Sequence, residues 1–282
     1  MSTEFEIFFS GLDPAYAEHA AQSVFQEISR IESLFNRFDD SSEVSLINRL
    51  QPGETLMVGA EVFECLSLAA QIYEDTGGAF DISASTLLKY DSGSRKNFLS
   101  RRGPGLRFPV ELYSSGKGFR ISLAEGFAEA GIDLGGIGKG YALDSVRGLL
   151  EDWDAKNVLI HGGTSTALGL GAPDEHSQGW PVGAGGPDAP RKIRLKNQAL
   201  SGSGTEVKGG HIVDPETGRT AKGHRAVWVK HWSAAAADAL STAFMVMTTP
   251  EVEQYCRTHA GAESLAVSQE GNTREFDWEE SS

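Results

Sequence analysis

Asp133-Leu134-Gly135-Gly136-Ile137-Gly138-Lys139-Gly140-Tyr141-Ala142-Leu143-Asp144 is the stretch on which the class of fold turns. Glycines let backbone approach a ligand closely, N–H groups at a helix start attract phosphate, and Lys139 adds a point charge. The spacing nevertheless matches neither G-x-G-x-x-G nor G-x-x-x-x-G-K-[ST], and no strand rich in β-branched residues precedes it. Neither standard nucleotide fold is indicated. On its own the segment reads equally as a ligand loop or as a helix-entry turn, with a helix following over about 141–153.

Upstream of it, Phe5–Phe9 reads as a strand, and Asp13-Pro14 as a helix start with Pro at the first helical position. Ala17, Ala21, Val24, Ile28, Ile31 and Phe35 then recur at helical spacing. A strand is expected over 54–58, and a helix over Ala60–Asp75 that stops at Gly77-Gly78. Residues 91–118 are turn-rich and read as a surface excursion with one hairpin and a strand at 108–113. Downstream, strands are expected at 157–160, 192–196 and 226–230, and 171–190, rich in Gly and Pro, reads as loop. Helices over 233–247 and 250–259 precede a closing hairpin, 264–268 with 273–276, turned at Gly271-Asn272. Helices and strands alternate without the regular beat of a doubly wound sheet, so the class is α+β.

Charge narrows the partners. The 282 residues carry 25 Lys and Arg against 39 Asp and Glu, a net charge of -14. That balance disfavours sequence-independent binding to a nucleic-acid backbone. A phosphate-bearing ligand would need a metal ion, helix N-termini or glycine-rich backbone, and the 33 glycines exceed the usual share of about 7%. Cys65 and Cys256 lie in apolar helical contexts without the spacing of a metal knuckle or redox pair, and read as buried thiols. No run of 18 apolar residues exists, and 1–10 lacks a basic segment followed by an apolar one.

A second constellation is Ala237-Asp238-Ala239-Leu240-Ser241-Thr242-Ala243. Asp238 and Thr242 stack on one helical face, and the alanines around them let backbone or ligand come close. A carboxylate and a hydroxyl offer two hard oxygens of the kind Mg²⁺ takes. The same residues also fit a plain helix, with Asp238 near its positive end and Thr242 bonding back to a carbonyl. His211, after Gly209-Gly210, faces either a ligand or the core. The other six histidines have no metal spacing, which argues against zinc.

Taken in order, these pieces resemble the FAD:protein FMN transferases, the ApbE family of flavin-trafficking, thiamine-biosynthesis lipoprotein-like proteins. Six segments carry the resemblance: 1–3 (MST), 33–48 (SLFNRFDDSSEVSLIN), 77–81 (GGAFD), 133–144 (DLGGIGKGYALD), 211–218 (HIVDPETG) and 237–244 (ADALSTAF). The resemblance implies one ApbE-like domain over 1–282, T-fold-related, with antiparallel sheets packed by helices. It implies a Mg²⁺-dependent transfer in which FAD is cleaved at its pyrophosphate, FMN is joined to a Thr or Ser hydroxyl of an acceptor flavoprotein, and AMP leaves. By the same resemblance Asp238 and Thr242 hold the metal by side chain, and Gly136 and Ser241 by backbone oxygen. Flavin and nucleotide contacts fall on Met1, Phe38, Ala79, Phe80, Asp81, Asp133, Lys139 and Ile212. His211 occupies the family's histidine position near the pyrophosphate, and Asp238 and His211 are the residues assigned to the chemistry.

Two departures stand out. Gly162-Gly163 is followed by Thr164 where the family often has Asp or Asn, and 82–87 reads ISASTL where a Pro-bearing run is usual. Two other functions stay open beside the transferase: an FAD pyrophosphatase using water as acceptor, and a protein that holds FAD without turning it over. The chain is expected to be cytoplasmic, or periplasmic or membrane-anchored if an upstream signal has been trimmed, because the family's Met-Gly-Thr motif coincides here with Met1.

Overall fold

The computed structural model describes residues 3–89, 108–185, 190–204 and 212–278. In chain order it runs β1 (Phe5–Phe9), α1 (Pro14–Phe35), α2 (Glu43–Asn48), β2 (Thr55–Val58), α3 (Ala60–Asp75), a 3-10 turn (Ala84–Lys89), β3 (Val110–Ser115) and β4 (Gly118–Leu123). Then come α4 (Gly138–Ser145), α5 (Arg147–Asp152), β5 (Val158–Gly162), β6 (Thr166–Leu170), β7 (Trp180–Ala184), β8 (Arg191–Leu195), β9 (Gln198–Gly204) and β10 (Ala226–His231). The chain ends with α6 (Ala234–Val246), α7 (Thr249–Thr258), β11 (Glu263–Val267) and β12 (Thr273–Phe276).

The helices form where capping and period agree. Asp13 accepts the backbone N–H groups of Ala15 at 3.0 Å and Tyr16 at 3.2 Å, satisfying donors that α1 would otherwise leave open. Ala20, Val24, Ile28, Ile31 and Phe35 bury the one face of α1 that the spacing selects, each large side chain worth about 1.5–3 kcal/mol when fully buried. Helix α6 differs: its alanines are buried all round, so it runs through the interior rather than across the surface.

Seven strands form one antiparallel sheet in the order β1-β5-β6-β9-β10-β11-β12. Its helix-facing side contributes Val158, Ile160, Leu168, Ala199, Val227 and Val229 to the main core. Alternate residues on the other side, Leu159, Ala167, Leu200 and Leu265, meet a second core under the β7-β8 hairpin, built from Trp180, Val182, Ala184, Ile193 and Leu195. A smaller sheet, β2-β4-β3, packs beside α3, where Phe63 and Phe119 stack at 4.5 Å. The class is therefore α+β with antiparallel sheets and helices packed on them. Among the described residues no helix is long and apolar enough to cross a membrane.

Three local expectations change. The 171–190 segment is not all loop: Trp180 to Ala184 alternates buried and exposed as β7, and Pro181 is tolerated there because the β7-β8 pair leaves an edge. The helix expected over 141–153 starts earlier, at Gly138, and breaks at Val146 into α4 and α5. Lys139 thus sits in the first turn of a helix rather than in a loop. Of the turn-rich excursion, 90–107 lies outside the described residues, and the remainder supplies β3, paired with β4 along its whole length.

Candidate functional site

The site begins where α4 crosses α6. Gly140 lets the two backbones touch: a Cβ there would meet the Ala234 carbonyl oxygen at 2.0 Å and the Ala235 Cα at 2.6 Å. One turn further along α4, the Asp144 carboxylate accepts the Ser233 hydroxyl at 2.7 Å and the N–H groups of Ala234 at 3.0 Å and Ala235 at 2.9 Å. A negative group at a helix N-terminus satisfies open donors and complements the macrodipole. The DLGGIGKGYALD segment therefore fixes both the position and the start of the helix that carries Asp238.

Asp238 is 3% exposed and is the hub of the site. Its Oδ1 accepts from the Lys139 Nζ at 2.9 Å and from the Ser201 hydroxyl at 3.1 Å, with the Thr166 hydroxyl at 3.5 Å. Its Oδ2 accepts from the same ammonium at 3.1 Å and from the Gly140 N–H at 3.3 Å. Thr166 and Ser201 are cross-strand partners on β6 and β9, with hydroxyl oxygens 3.0 Å apart. A carboxylate this deep is stable only when charge and hydrogen bonds compensate it, as they do here.

Along the same face of α6, the Ser241 hydroxyl donates to the Asp238 carbonyl at 2.9 Å and the Thr242 hydroxyl at 3.3 Å. Gly136 arrives from the glycine segment: a Cβ on it would stand 3.3 Å from Thr242 Oγ1 and 3.4 Å from Phe80 Cε2. Gly136, Lys139, Asp238, Ser241 and Thr242 are thus brought together, with Phe80 against them. Among the described residues, no group of three or more His, Cys, Asp or Glu gathers to form a metal cluster. The donors present are oxygens, with a single carboxylate. Cys65, buried and close enough to feel the Asp238 charge, has its thiol pushed far above the usual range, first by desolvation and then by that charge.

The remaining predicted contacts ring this hub. The backbone N–H of Asp133 donates to the Ile82 carbonyl at 2.7 Å, which ties the glycine segment to the chain just after Phe80-Asp81. Asp81 is buried, and its Oδ1 accepts the N–H and the hydroxyl of Ser83, each at 2.7 Å. Ser83 belongs to the segment that departs from the family's usual run, which here turns into the 3-10 turn. Asp133 pairs with Arg37 at 3.4 Å, and the Arg37 guanidinium lies 4.6 Å over the ring of Phe38, itself 83% exposed. Ala79 borders a groove of about 600 Å³ that runs between the Thr76 to Ala79 turn, the Asp214 to Glu216 turn and α7. Ile212 is buried in the main core and accepts the Ala221 N–H at 2.9 Å. Met1 and His211 lie outside the described residues.

Sequence reasoning missed Thr166, Ser201, Arg37 and the capping role of Asp144. It also left Asn48 without a task, although its side chain brackets Ile132, donating to the carbonyl at 2.9 Å and accepting the N–H at 2.6 Å. The available signal was modest: a Ser-Gly-Ser-Gly run at 201–204 beside an alanine-rich helix marks a place where hydroxyls can approach a buried carboxylate.

A glycine-backed, oxygen-lined seat on a buried helix above an antiparallel sheet defines the class. The ApbE family model matches residues 1–266, and the chain belongs to that family. The FAD:protein FMN transferase of Chlamydia pneumoniae is 25% identical over 262 residues, which span 84% of this chain and 81% of the relative. The FAD:protein FMN transferase of Klebsiella pneumoniae is 23% identical over 294 residues, spanning 95% and 82%. The solved flavinyl transferase ApbE of Pseudomonas stutzeri, in its apo form, superposes with a TM-score of 0.80 at 24% identity, covering 98% of this chain and 95% of that one. The ApbE protein of Thermotoga maritima gives 0.76 at 25% identity, covering 98% and 97%.

Proposed function

We propose that the chain is an FAD:protein FMN transferase: with Mg²⁺ it cleaves FAD at the pyrophosphate, joins FMN through a phosphoester to a Thr or Ser hydroxyl of an acceptor flavoprotein, and releases AMP. The observation that carries this reading is the convergence of Gly136, Lys139, Asp238 and Thr242, drawn from two distant motifs, around one buried carboxylate. The names of the curated relatives agree with it.

The donor set suits a hard cation: one carboxylate, one hydroxyl and nearby carbonyl oxygens. Asp238 and Thr242 would hold Mg²⁺ by side chain, and Gly136 and Ser241 by backbone oxygen. When bound, the cation supplies positive charge against the pyrophosphate oxygens, the charge that a chain of net -14 lacks.

The chain's own residues do the positioning that phosphoryl transfer demands. Lys139, in the first turn of α4, offers an ammonium to phosphate oxygens. Phe38 offers an exposed ring to the flavin, and Arg37, over that ring, links it to Asp133 at the start of the glycine segment. The acceptor hydroxyl must lose its proton as its oxygen attacks phosphorus, and His211 is the side chain assigned to bind the phosphate or take that proton. The buried wall of α6 and the β6-β9 strands keeps water from the Asp238 side of the site.

One incubation tests the proposal: purified chain, FAD and Mg²⁺, with and without flavoprotein domains, followed by AMP release and acceptor mass. An acceptor that gains the mass of FMN is the expected result. AMP released equally without acceptor would assign a pyrophosphatase instead, and FAD recovered intact would leave a flavin-binding protein.

A further inference from the structure

The Asp238 carboxylate already carries as many donors as it has room for. Two carboxylate oxygens offer about four lone-pair directions. Three groups fill them: Lys139 reaches both oxygens, at 2.9 and 3.1 Å, the Gly140 N–H reaches one at 3.3 Å and the Ser201 hydroxyl the other at 3.1 Å, while the Thr166 hydroxyl, 3.0 Å from Ser201 and 3.5 Å from Oδ1, backs Ser201. A divalent cation that coordinates this carboxylate must therefore displace one of them.

Two of the three cannot leave. The Gly140 N–H is held by the backbone contact of α4 with α6. Ser201 and Thr166 are fixed by strand register and by each other at 3.0 Å. The Ser201 hydroxyl is neutral, so it tolerates a cation beside the oxygen it donates to. Lys139 is the charged donor and sits at the end of a flexible four-carbon stem; an arriving dication repels it and replaces the charge it supplies. Its route out is short, because Nζ also lies 3.4 Å from the Gly135 carbonyl, in the glycine segment.

We propose that Lys139 is an exchangeable counter-ion: it would give up the Asp238 carboxylate to a bound cation, and its released ammonium would bind the substrate's phosphate oxygens. This rests on the metal reading above and adds an order of events to it. The exchange makes cation and pyrophosphate binding mutually supportive, since the cation frees the ammonium that the pyrophosphate binds and the pyrophosphate draws Lys139 off the carboxylate that the cation needs. Thr166 and Ser201 are positioning residues in this scheme: they hold Oδ1 still while the charge partner changes.

The test uses the full chain and Mn²⁺ as probe, its binding followed by electron paramagnetic resonance in the wild type, Lys139→Met and Asp238→Asn. Removing the competing ammonium is expected to tighten Mn²⁺ binding by about tenfold or more. Equal or weaker binding in Lys139→Met overturns the exchange. Asp238→Asn is expected to lose the site; wild-type Mn²⁺ binding in that variant would instead remove the metal from Asp238 and sink the metal reading itself. A second measurement needs no variant. Acetylation of lysines in the wild type, read by mass spectrometry, is expected to speed up at Lys139 on Mn²⁺ saturation while the exposed Lys156 stays constant. An unchanged Lys139 rate with Mn²⁺ bound also overturns the proposal.

Discussion

Gly140 and Ala234 hold two helices in direct backbone contact, with only 2.0 Å between the place of a Gly140 Cβ and the Ala234 carbonyl oxygen. Backbone on the far side cannot step away as a flexible side chain would. Gly140→Ala is therefore expected to destabilise the fold by about 3 kcal/mol or more, read as a lower urea midpoint. Gly148, in α5, has nothing within 4 Å of its Cβ position, so Gly148→Ala should raise stability by about 0.5–1 kcal/mol. Equal effects at the two positions would contradict the packing described.

Asp144 holds the first turn of α6 through three donors, of which two are backbone N–H groups. Asp144→Ala strands those donors and removes the partner of Arg147 at 3.1 Å. The expected loss is about 2 kcal/mol, with Asp144→Asn intermediate because an amide oxygen can still accept. Thermal melts of the three proteins give the ranking.

The Lys139 to Asp238 pair is nearly buried, with side chains 12% and 4% exposed. Asp238→Ala leaves an ammonium with its partner gone and is expected to cost about 3–5 kcal/mol as well as Mg²⁺-dependent turnover. Adding Lys139→Met to it should recover part of that stability while turnover stays lost, a coupling that a double-mutant cycle measures. Full activity in Asp238→Ala would remove the residue from the site.

His224 gives the fold an acid edge. Its Nδ1 donates to the Phe244 carbonyl at 2.7 Å, and its Nε2 shares a hydrogen bond with the Thr249 hydroxyl at 3.2 Å. Burial lowers its pKa from the ordinary 6.5, against the opposing backbone bond. His231 is lowered by burial in the same way. With the folded values depressed, the stabilising contribution is complete above about pH 6.5 and is lost as pH falls below it, because the unfolded chain takes up protons first. Each histidine adds a slope of at most about 1.4 kcal/mol per pH unit. His224→Gln should flatten the decline of stability between neutral and mildly acidic pH, by urea titration at several pH values.

The sequence was most legible where period and punctuation agree. Helices α1 and α3 follow from one apolar face, from Asp13-Pro14 and from the Gly77-Gly78 stop. Strands β6 and β9 were missed because TALGL and QALSGSG hold small residues of low strand propensity; their pairing partners make them strands. Gly136, Lys139, Asp238 and Thr242 were legible as motifs because they lie in short conspicuous segments. Thr166 and Ser201 were not, since nothing local distinguishes a hydroxyl that reaches a carboxylate across a sheet from one that faces water. Asn48 was visible inside a motif, yet its partner is the backbone of Ile132, 84 residues away, which no local pattern reports.

The side chains of Lys139, Thr166 and Ser201 that meet around Asp238 come from 99, 72 and 37 residues upstream of it. During synthesis the glycine segment, β6 and β9 emerge long before the helix that gives them a common target. Until α6 has left the ribosome and docked, Lys139 has no carboxylate and the two hydroxyls have only each other. A nascent or truncated chain that ends short of residue 242 thus cannot assemble this cluster, whose parts meet only once α6 is in place.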